Sequence, residues 1–305
     1  MKGNDSHKPT LPGVMRVLME VEKQGFGNYV PYSQLQLDSI DSLMLGGWSP
    51  LYMRVFNRLP KGTKIGVLWT SPLAQTEYSP VEMDYVATIK KLLDRGTLSY
   101  VWFGSEDWLT IFEDYKGKVF YAPYPLSWRD VPTVERMDGH VGLFGPLHAR
   151  KNILNQLAAV KFAEATVHLG EASLELVRFM DAVGIKYKLH GWMEEEEYYK
   201  TVASMRMGLQ VSHLGVESFS YVCFDSLMMG VPCLTSVDWA PPLMRVSPTD
   251  IKEMANLIRF GWGSNYDPYP QEQLRKDLTK FVDDRNNKFL EGFEARDRFP
   301  FAQHP

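Results

Sequence analysis

The chain has 305 residues, of which 45% are hydrophobic and 23% charged. That balance is typical of globular proteins and excludes disordered, collagen-like and coiled-coil chains as the main state. Because a domain usually has roughly 100–200 residues, the length predicts two domains or one large one. The net charge of −4 lacks the broad basic footprint of a nucleic-acid-binding protein, although a local basic groove is still compatible with it.

Cysteine content and apolar runs indicate the compartment. The two cysteines, Cys223 and Cys233, are too few for a disulfide framework and are typical of small core residues in a reducing environment. No run of about 18 apolar residues predicts a membrane span, and the N-terminal segment lacks the apolar core of a secretion signal. We therefore expect a soluble, intracellular, cytoplasmic protein.

Short apolar runs alternate with amphipathic stretches along the first part of the chain, which is the pattern of βα units. The predicted strands cover residues 14–20, 40–45, 64–69, 98–103 and 118–121, and the predicted helices residues 50–59, 80–94 and 106–114. Residues 123–133 contain three prolines and no clear periodicity, so they predict a linker between domains.

The second part repeats the pattern more regularly. Its predicted strands cover residues 140–144, 166–169, 186–189, 207–211 and 232–235, and its predicted helices residues 152–164, 173–183, 194–204, 219–229 and 249–260. Such a succession of βα units predicts a doubly wound parallel sheet. The charged segment from residue 271 predicts a helical tail. Two such domains with a hinge usually bind a ligand in the cleft between them.

The first candidate functional residue is Asp225, whose apolar neighbours in sequence predict a buried helix. Aspartate is unfavourable inside a helix, and a buried carboxylate needs partners. Two interpretations are open: an internal hydrogen bond or ion pair satisfies Asp225, or Asp225 accepts hydrogen bonds from ligand hydroxyls. Its neighbours favour the second.

Glu217, Ser218, Phe219 and Ser220 lie just before this helix. Free backbone amides and the helix dipole at such a junction suit an anion such as phosphate, and Glu217 could accept hydrogen bonds from sugar hydroxyls. On local grounds alone, an ordinary helix cap with an acid in the first turn is the better explanation.

A basic segment follows the predicted strand at residues 140–144. Gly145 and Pro146 end that strand, and His148, Arg150 and Lys151 precede the next helix. Cations at the carboxyl edge of a sheet, next to a helix start, suit a diphosphate. A solvated basic turn is the commoner alternative. Cations at a helix start are, however, unfavourable next to the positive end of the helix dipole, and a bound anion would stabilise them.

A third candidate follows the predicted strand at residues 186–189. His190, Gly191 and Trp192 lie at the carboxyl edge of that strand. Trp192 could stack on a base or pack between domains, and the glutamates after it most simply form a solvated helix start.

Together these segments resemble the nucleotide-sugar domain of GT-B glycosyltransferases, especially the family-four retaining group. The signature of that group is a glutamate, seven residues and a second glutamate, followed by a Gly-Val-Pro strand. This chain has Glu217, seven residues, Asp225 and then Gly230-Val231-Pro232.

Two further segments carry the resemblance. The phosphate-binding loop of the group, Gly-Arg…Lys, is similar to residues 145–151, and its base-binding turn is similar to the turn after residues 186–190. The resemblance covers residues 141 to about 260, roughly the C-terminal half of the chain.

The resemblance implies an α/β protein of the GT-B fold, with two Rossmann-like doubly wound parallel-sheet domains facing across a cleft. Residues 1–130 would form the N-terminal acceptor-side domain, residues 131–265 the C-terminal nucleotide-sugar-binding domain, and residues 266–305 a helical tail packing back on the N-terminal domain. The implied reaction transfers a hexosyl or pentosyl group from a UDP- or GDP-sugar to an acceptor hydroxyl with retention of configuration. No cofactor or metal would be required, and the acceptor would be a glycan, a small molecule or modified DNA.

The resemblance also implies roles for individual residues. Lys151, helped by Arg150, would neutralise the donor diphosphate, and Glu217 would bind the transferred sugar. Asp225 would bind the ribose hydroxyls. The implied donor site further includes Gly145, His148, His190, Gly191, Trp192 and the amides of Ser218, Phe219 and Ser220.

Several positions depart from the pattern of the group. Asp225 has a shorter reach than glutamate by one methylene, and Pro146 stands where the group has arginine, so Arg150 or His148 would supply that charge. The N-terminal half resembles the group in architecture only, and its one histidine, His7, precedes the first predicted strand. The candidates there, some of which could instead be helix caps, are Gly25 and Gly27 for a glycine loop and Trp48, Ser105, Glu106 and Asp107 for the acceptor side.

Three alternatives are open. The first is a transferase acting on a modified base in DNA, for which a basic rim and aromatic wedges are available although the net charge argues against it. The residues concerned are Lys61, Lys64, Lys90, Lys91, Arg95, Trp48, Trp69 and Trp102. The second is a non-catalytic GT-B protein that binds a nucleotide sugar or glycan, and the third is a sugar-nucleotide epimerase.

Overall fold

A computed structural model describes residues 13–23, 40–74, 81–145, 147, 149–213, 219–261 and 271–294. The chain divides into two compact units. Unit 1 comprises Met1–Ser127 and Val282–Pro305, and unit 2 comprises Trp128–Phe281. The first boundary falls within the segment that the prolines indicated as a linker.

Unit 1 contains a four-stranded parallel sheet in the order β1-β2-β3-β4. The strands are β1 (Ser42–Gly46), β2 (Lys64–Trp69), β3 (Tyr100–Phe103) and β4 (Val119–Tyr121). Its described helices before the linker are α1 (Gly13–Lys23), α2 (Tyr52–Phe56), α3 (Val81–Asp94), α4 (Asp107–Ile111) and a 3₁₀-helix at Glu113–Tyr115. The strands are nearly continuous apolar runs because a parallel sheet is covered on both faces, and Val67 and Leu68 are fully buried.

The strand predicted at residues 14–20 is wrong, because these residues belong to helix α1. Val17, Glu20 and Val21 are buried, at the spacing of residues that share one face of a helix. A run of this length is too short for periodicity to separate a buried strand from a helix.

Unit 2 contains a five-stranded parallel sheet in the order β7-β6-β5-β8-β9. The strands are β5 (Met137–Gly142), β6 (Thr166–Leu169), β7 (Lys186–Leu189), β8 (Met205–Gln210) and β9 (Cys233–Thr235). Its described helices up to Phe260 are α5 (Ile153–Ala163), α6 (Leu174–Val183), α7 (Glu195–Ser204), α8 (Tyr221–Met228) and α9 (Ile251–Phe260), with 3₁₀-helices at Ala149–Lys151 and Pro242–Met244. The chain proceeds from β5 outward to β7 and then returns to the other side of β5, which is the doubly wound arrangement.

The order of these strands creates a switch point between β5 and β8. The chain leaves the two neighbouring strands in opposite directions, so the loops at their carboxyl ends diverge there. Open α/β sheets bind ligands in the crevice that such diverging loops form.

The last helix within the described ranges, α10 (Gln271–Glu294), begins in unit 2 and ends in unit 1. In unit 1, Trp102 Nε1 donates to the Gly292 carbonyl at 3.3 Å, and Asn286 Nδ2 donates to the Leu126 carbonyl at 3.0 Å. A β-carbon at Gly292 would overlap the carbonyl oxygen of Tyr121, so this close approach requires glycine. The C-terminal half of α10 is therefore an integral part of unit 1.

Among the helices in the described ranges, none has the length and hydrophobicity needed to span a bilayer.

Candidate functional site

The basic segment at residues 145–151 contacts the structure on the other side of the switch point. The backbone N–H of His213, which follows β8, donates to the carbonyl of Arg150 at 3.2 Å. A β-carbon built on Gly145 would lie 3.2 Å from Cγ2 of Val222, in the first turn of α8. The predicted diphosphate segment and the start of α8 thus lie side by side.

Buried amide side chains hold this segment in place. Gln156 is 1% exposed. Its Nε2 donates to the Lys151 carbonyl at 2.7 Å, and its Oε1 accepts from the Val211 N–H at 3.0 Å. Asn152 adopts a left-handed conformation, which asparagine tolerates, and donates to the Pro248 carbonyl at 2.7 Å. Gln156 therefore ties the backbone of Lys151 to the residue that follows β8.

Arg150 and Lys151 are half-buried in the 3₁₀-helix that precedes α5. The first turn of α5 contains no acidic residue, and a helix start favours negative charge. Both cations and the helix dipole would stabilise an anion bound here.

The residues before α8 are held by a cap and by an aromatic stack. Ser220 Oγ accepts from the Cys223 N–H at 3.2 Å, so that hydroxyl serves the helix cap. The Phe219 ring stacks on Trp239 at 5.1 Å between centroids, and Trp239 stacks on Phe281 at 4.9 Å. The stack holds the Phe219 ring inside unit 2, so a ligand contact from Phe219 would come from its backbone amide, whereas Ser220 offers its backbone amide and its O–H donor.

Asp225 is 1% exposed inside α8. Tyr198 of α7 donates its hydroxyl to Asp225 Oδ2 at 3.1 Å. The Tyr198 ring packs edge-on against Phe144 at 5.8 Å, and Phe144 packs against His190 at 6.3 Å. One carboxylate oxygen therefore has the internal hydrogen bond that the sequence left as an alternative, and the same series of contacts connects Asp225 with the turn after β7.

The turn after β7 is held by backbone hydrogen bonds to the adjacent strand. The N–H of His190 donates to the Leu169 carbonyl at 3.0 Å, and that of Gly191 to the Gly170 carbonyl at 2.8 Å. Gly191 has a φ of 69°, in the left-handed region that glycine adopts without strain. Trp192 follows with 37% of its surface exposed.

His190 ends a row of three histidines. Nε2 of His168 lies 2.7 Å from Nδ1 of His140, and Nδ1 of His168 lies 2.8 Å from Nε2 of His190. The pKa of His168 is lowered to about 4. Burial is the largest cause, and the charges of His190, His140 and Lys188 lower the pKa further. Burial and Lys188 also lower the pKa of His190, whereas Glu197 acts in the opposite direction.

Sequence reasoning missed five residues that build this region. Tyr198 and Phe144 carry the contacts between Asp225 and the turn, Gln156 ties the loops together, and His140 and His168 complete the histidine row. The sequence pattern places each of them in a predicted strand or helix and indicates no further role. No local pattern distinguishes them, because their partners are distant in sequence, apart from the Lys151 carbonyl that Gln156 also contacts.

Some candidates lie outside the described residues, and their roles stay predictions. They are Gly25, Gly27, His148, Glu217 and Ser218.

The described N-terminal candidates belong to unit 1. Trp48 packs against Tyr52 and Phe56 of α2, at 5.9 Å and 6.0 Å between ring centroids. Ser105 Oγ donates to Asp107 Oδ2 at 3.0 Å at the start of α4. Glu106, which immediately precedes α4, is exposed and makes no side-chain cap bond. Trp48 thus contributes to packing, and the acceptor-side roles stay predictions.

Within the described residues, no group of three or more His, Cys, Asp and Glu side chains could hold a metal ion.

Comparisons of sequence and of structure give different results. No protein-family model and no curated protein matches the sequence. The structure is similar to a mutant of TarM from S. aureus, solved with fondaparinux, α-GlcNAc-glycerol and UDP. The TM-score is 0.61 and the identity 12%, over 92% of this chain and 58% of that one. The chain thus spans less than two thirds of TarM.

Two further structures are similar. HepE (Alr3699) from Anabaena, solved with UDP-glucose, gives a TM-score of 0.61 at 14% identity, over 85% of this chain and 78% of that one. An α-glucosyltransferase solved with UDP-glucose and DNA containing an abasic site gives 0.56 at 11% identity, over 86% and 81% of the two chains. Together with the two parallel sheets, these likenesses confirm the predicted fold class: the chain has the two-domain α/β fold of the GT-B glycosyltransferases.

Proposed function

We propose that the chain is a glycosyltransferase that moves a hexosyl or pentosyl group from a nucleotide-diphosphate sugar to an acceptor hydroxyl. The observation that carries the proposal is the convergence of the basic segment 145–151 with the first turn of α8 at the switch point of the unit 2 sheet. Cations beside a helix N-terminus suit a diphosphate. TarM and HepE were solved with UDP or UDP-glucose, which makes a uridine donor the first to test.

In this site, Lys151 and Arg150 would neutralise the charge that develops on the departing diphosphate. The amides of Phe219 and Ser220 would add the partial positive charge of the α8 terminus. Glu217, placed by the sequence just before them, would bind the transferred sugar. Because fixed groups supply this stabilisation, we propose a reaction that requires no metal or other cofactor.

The finer points of the proposal depend on the sequence resemblance. The spacing of Glu217 and Asp225 supports membership of the family-four group and retention of configuration. His190, Gly191 and Trp192 would receive the base of the nucleotide. The acceptor would be a glycan or a small molecule.

A second candidate function is glycosylation of a modified base in DNA. One structural neighbour was solved with DNA, and unit 1 exposes Lys61, Lys91 and Arg95. Lys90 lies 5.2 Å from the Phe112 ring centroid, so part of this basic group is engaged in packing. Binding to DNA that falls steeply with salt concentration would favour this function, because phosphate contacts release counterions.

The test begins with thermal shifts against UDP, GDP and their sugars, since a ligand that binds the folded state raises the melting temperature. Transfer by wild type, Lys151→Ala and Glu217→Ala is then assayed with the donor identified. We expect both variants to lose transfer and to keep their melting temperatures. Lys186→Ala is the matched control, because Lys186 is exposed at the amino end of β7, at the opposite edge of the sheet.

Three results would contradict the proposal. Full transfer in both variants would reject the assigned site. Donor binding without transfer to any acceptor would favour a non-catalytic protein that binds the nucleotide sugar. Conversion of the donor without an acceptor would favour a sugar-nucleotide epimerase.

A further inference from the structure

The three histidines lie on adjacent parallel strands or directly after them. His140 is on β5 and His168 on β6, and the register pairs Gly142 with His168 and His168 with Lys188 of β7. His190 follows β7 by one residue. Neighbouring strands therefore bring the three rings into one row that ends at the turn proposed to receive the base.

The chemistry of imidazole constrains this row. A neutral ring has one N–H donor and one acceptor nitrogen. His168 contacts both neighbours, one through Nε2 at 2.7 Å and one through Nδ1 at 2.8 Å, so it donates to one and accepts from the other. If His168 donates from Nδ1, then His190 accepts at Nε2 and carries its proton on Nδ1, and His140 also donates from Nδ1. If His168 donates from Nε2, all three rings carry the proton on Nε2.

The neutral row therefore has only two arrangements, and all three rings share one tautomer in each. His168 is 1% exposed, so water cannot readily replace either contact. Leaving one of its nitrogens without a partner would carry the desolvation cost of a buried polar group.

We propose that His168 is a positioning residue, which holds the ring of His190 and couples its tautomer to that of His140 for binding of the nucleotide. In one arrangement Nδ1 of His190 is a hydrogen-bond donor, and in the other it is an acceptor. The hydrogen-bonding character of His190 in the turn after β7 thus depends on His168 and, through it, on His140. This inference rests on the proposed function, because it needs a nucleotide at that turn.

Three substitutions of His168 separate positioning from packing. His168→Asn keeps a polar atom near the place of Nδ1, which faces His190, whereas His168→Gln keeps one near the place of Nε2, which faces His140. His168→Phe keeps the volume and removes both contacts. We expect His168→Asn to bind UDP within about twofold of wild type, and the other two to bind about three- to tenfold more weakly, since a net hydrogen bond contributes about 0.5–1.5 kcal/mol.

Calorimetric titration of the full chain with UDP measures the affinities of the wild type and the three His168 variants. Tyr187→Phe is the matched control, because it removes a hydrogen bond of 3.0 Å between β7 and Asp181 without touching the row, and it should bind UDP like wild type. Equal affinity in wild type and His168→Phe would overturn the inference and leave the proposed function standing. A wild type that binds no nucleotide would instead reject the proposed function, and with it this role of His168.

Nitrogen-15 NMR of the ring atoms at pH 8 tests the row independently of any ligand. We expect His140, His168 and His190 to show the same tautomer in wild type, and His190 to lose this agreement in His168→Gln. Different tautomers among the three rings of the wild type would overturn the inference.

Discussion

Asp225, which is buried, and Tyr198, which is half-buried, form a hydrogen-bonded pair whose role in the site can be measured. A hydrogen bond to a charged group contributes about 1.5–3 kcal/mol, so we expect Tyr198→Phe to lower the free energy of unfolding by about that amount. A double-mutant cycle with Asp225→Asn in urea unfolding should show a coupling above about 1 kcal/mol, because the two residues are in contact. Additive effects would contradict the pairing.

The same variants test the proposed ribose contact. Asp225 is 1% exposed, so a ribose hydroxyl reaches it only if neighbouring side chains move aside. We expect Asp225→Asn to weaken UDP binding more than Tyr198→Phe does. Equal losses would show that Asp225 supports the site only by holding Tyr198.

Gly191 allows backbone strain to be separated from steric overlap. It has a φ of 69°, and a β-carbon there would meet no atom within 4 Å. Gly139 on β5 has a φ of 71° and equally open surroundings. Because the left-handed conformation costs other residues roughly 1–2 kcal/mol, both Gly191→Ala and Gly139→Ala should lower the free energy of unfolding by about that amount.

Only Gly191→Ala should also weaken the binding of UDP, because Gly191 alone lies in the turn after β7. Thermal melts of the two variants measure the loss of stability, and calorimetric titrations measure the affinity for UDP. Equal weakening of UDP binding in Gly139→Ala would indicate a general effect of lost stability.

At the scale of elements, the histidine row makes the stability of unit 2 depend on pH. Folding lowers the pKa of His168 to about 4 and also lowers that of His190, so the unfolded chain binds more protons between about pH 4 and 6.5. The free energy of unfolding therefore has its full value above about pH 6.5 and decreases as the pH falls towards 4. The lowering of the pKa of His168 from 6.5 to about 4 corresponds to a loss of about 3 kcal/mol of unfolding free energy once the pH is below 4.

Urea unfolding at several pH values measures this dependence. The charged and titratable groups around the row are His140, Lys188 and Glu197, besides His168 and His190 themselves. His168→Asn should flatten the dependence, because residue 168 then no longer titrates. An unchanged slope in that variant would assign the effect to other groups.

At the scale of the whole molecule, α10 contributes to both units. Its residues from Val282 onward pack into unit 1, where Val282 and Phe289 are buried. A chain that ends at Phe281 loses these side chains and the bond from Trp102 to Gly292, so the free energy of unfolding of unit 1 should fall by at least about 4 kcal/mol. Unit 2 should keep its hydrogen-exchange protection.

A chain that ends at Glu294 is the control, since it keeps every described contact of α10. Hydrogen exchange followed by mass spectrometry reports on each unit separately. Normal protection of unit 1 in the chain ending at Phe281 would contradict an essential role for the C-terminal half of α10.

Local patterns in the sequence determined the fold class, most of the elements, and the position of the basic segment relative to β5 and α5. These features depend on which faces of a strand or helix are buried, and burial leaves a periodicity that can be read within a few residues. The strand proposed at residues 14–20 shows the limit of this reasoning, because a short apolar run satisfies either periodicity until its packing partners are known.

The tertiary structure alone decided which distant side chains meet. His140, His168 and His190 are separated by 28 and 22 residues, and Tyr198 and Asp225 by 27, yet both sets are in hydrogen-bonding contact. These contacts follow from the order β7-β6-β5-β8-β9, from the register of the strands and from the packing of α7 against α8. Order and register are selected by the packing of the whole core, so no single segment of the sequence contains the information that places these residues together.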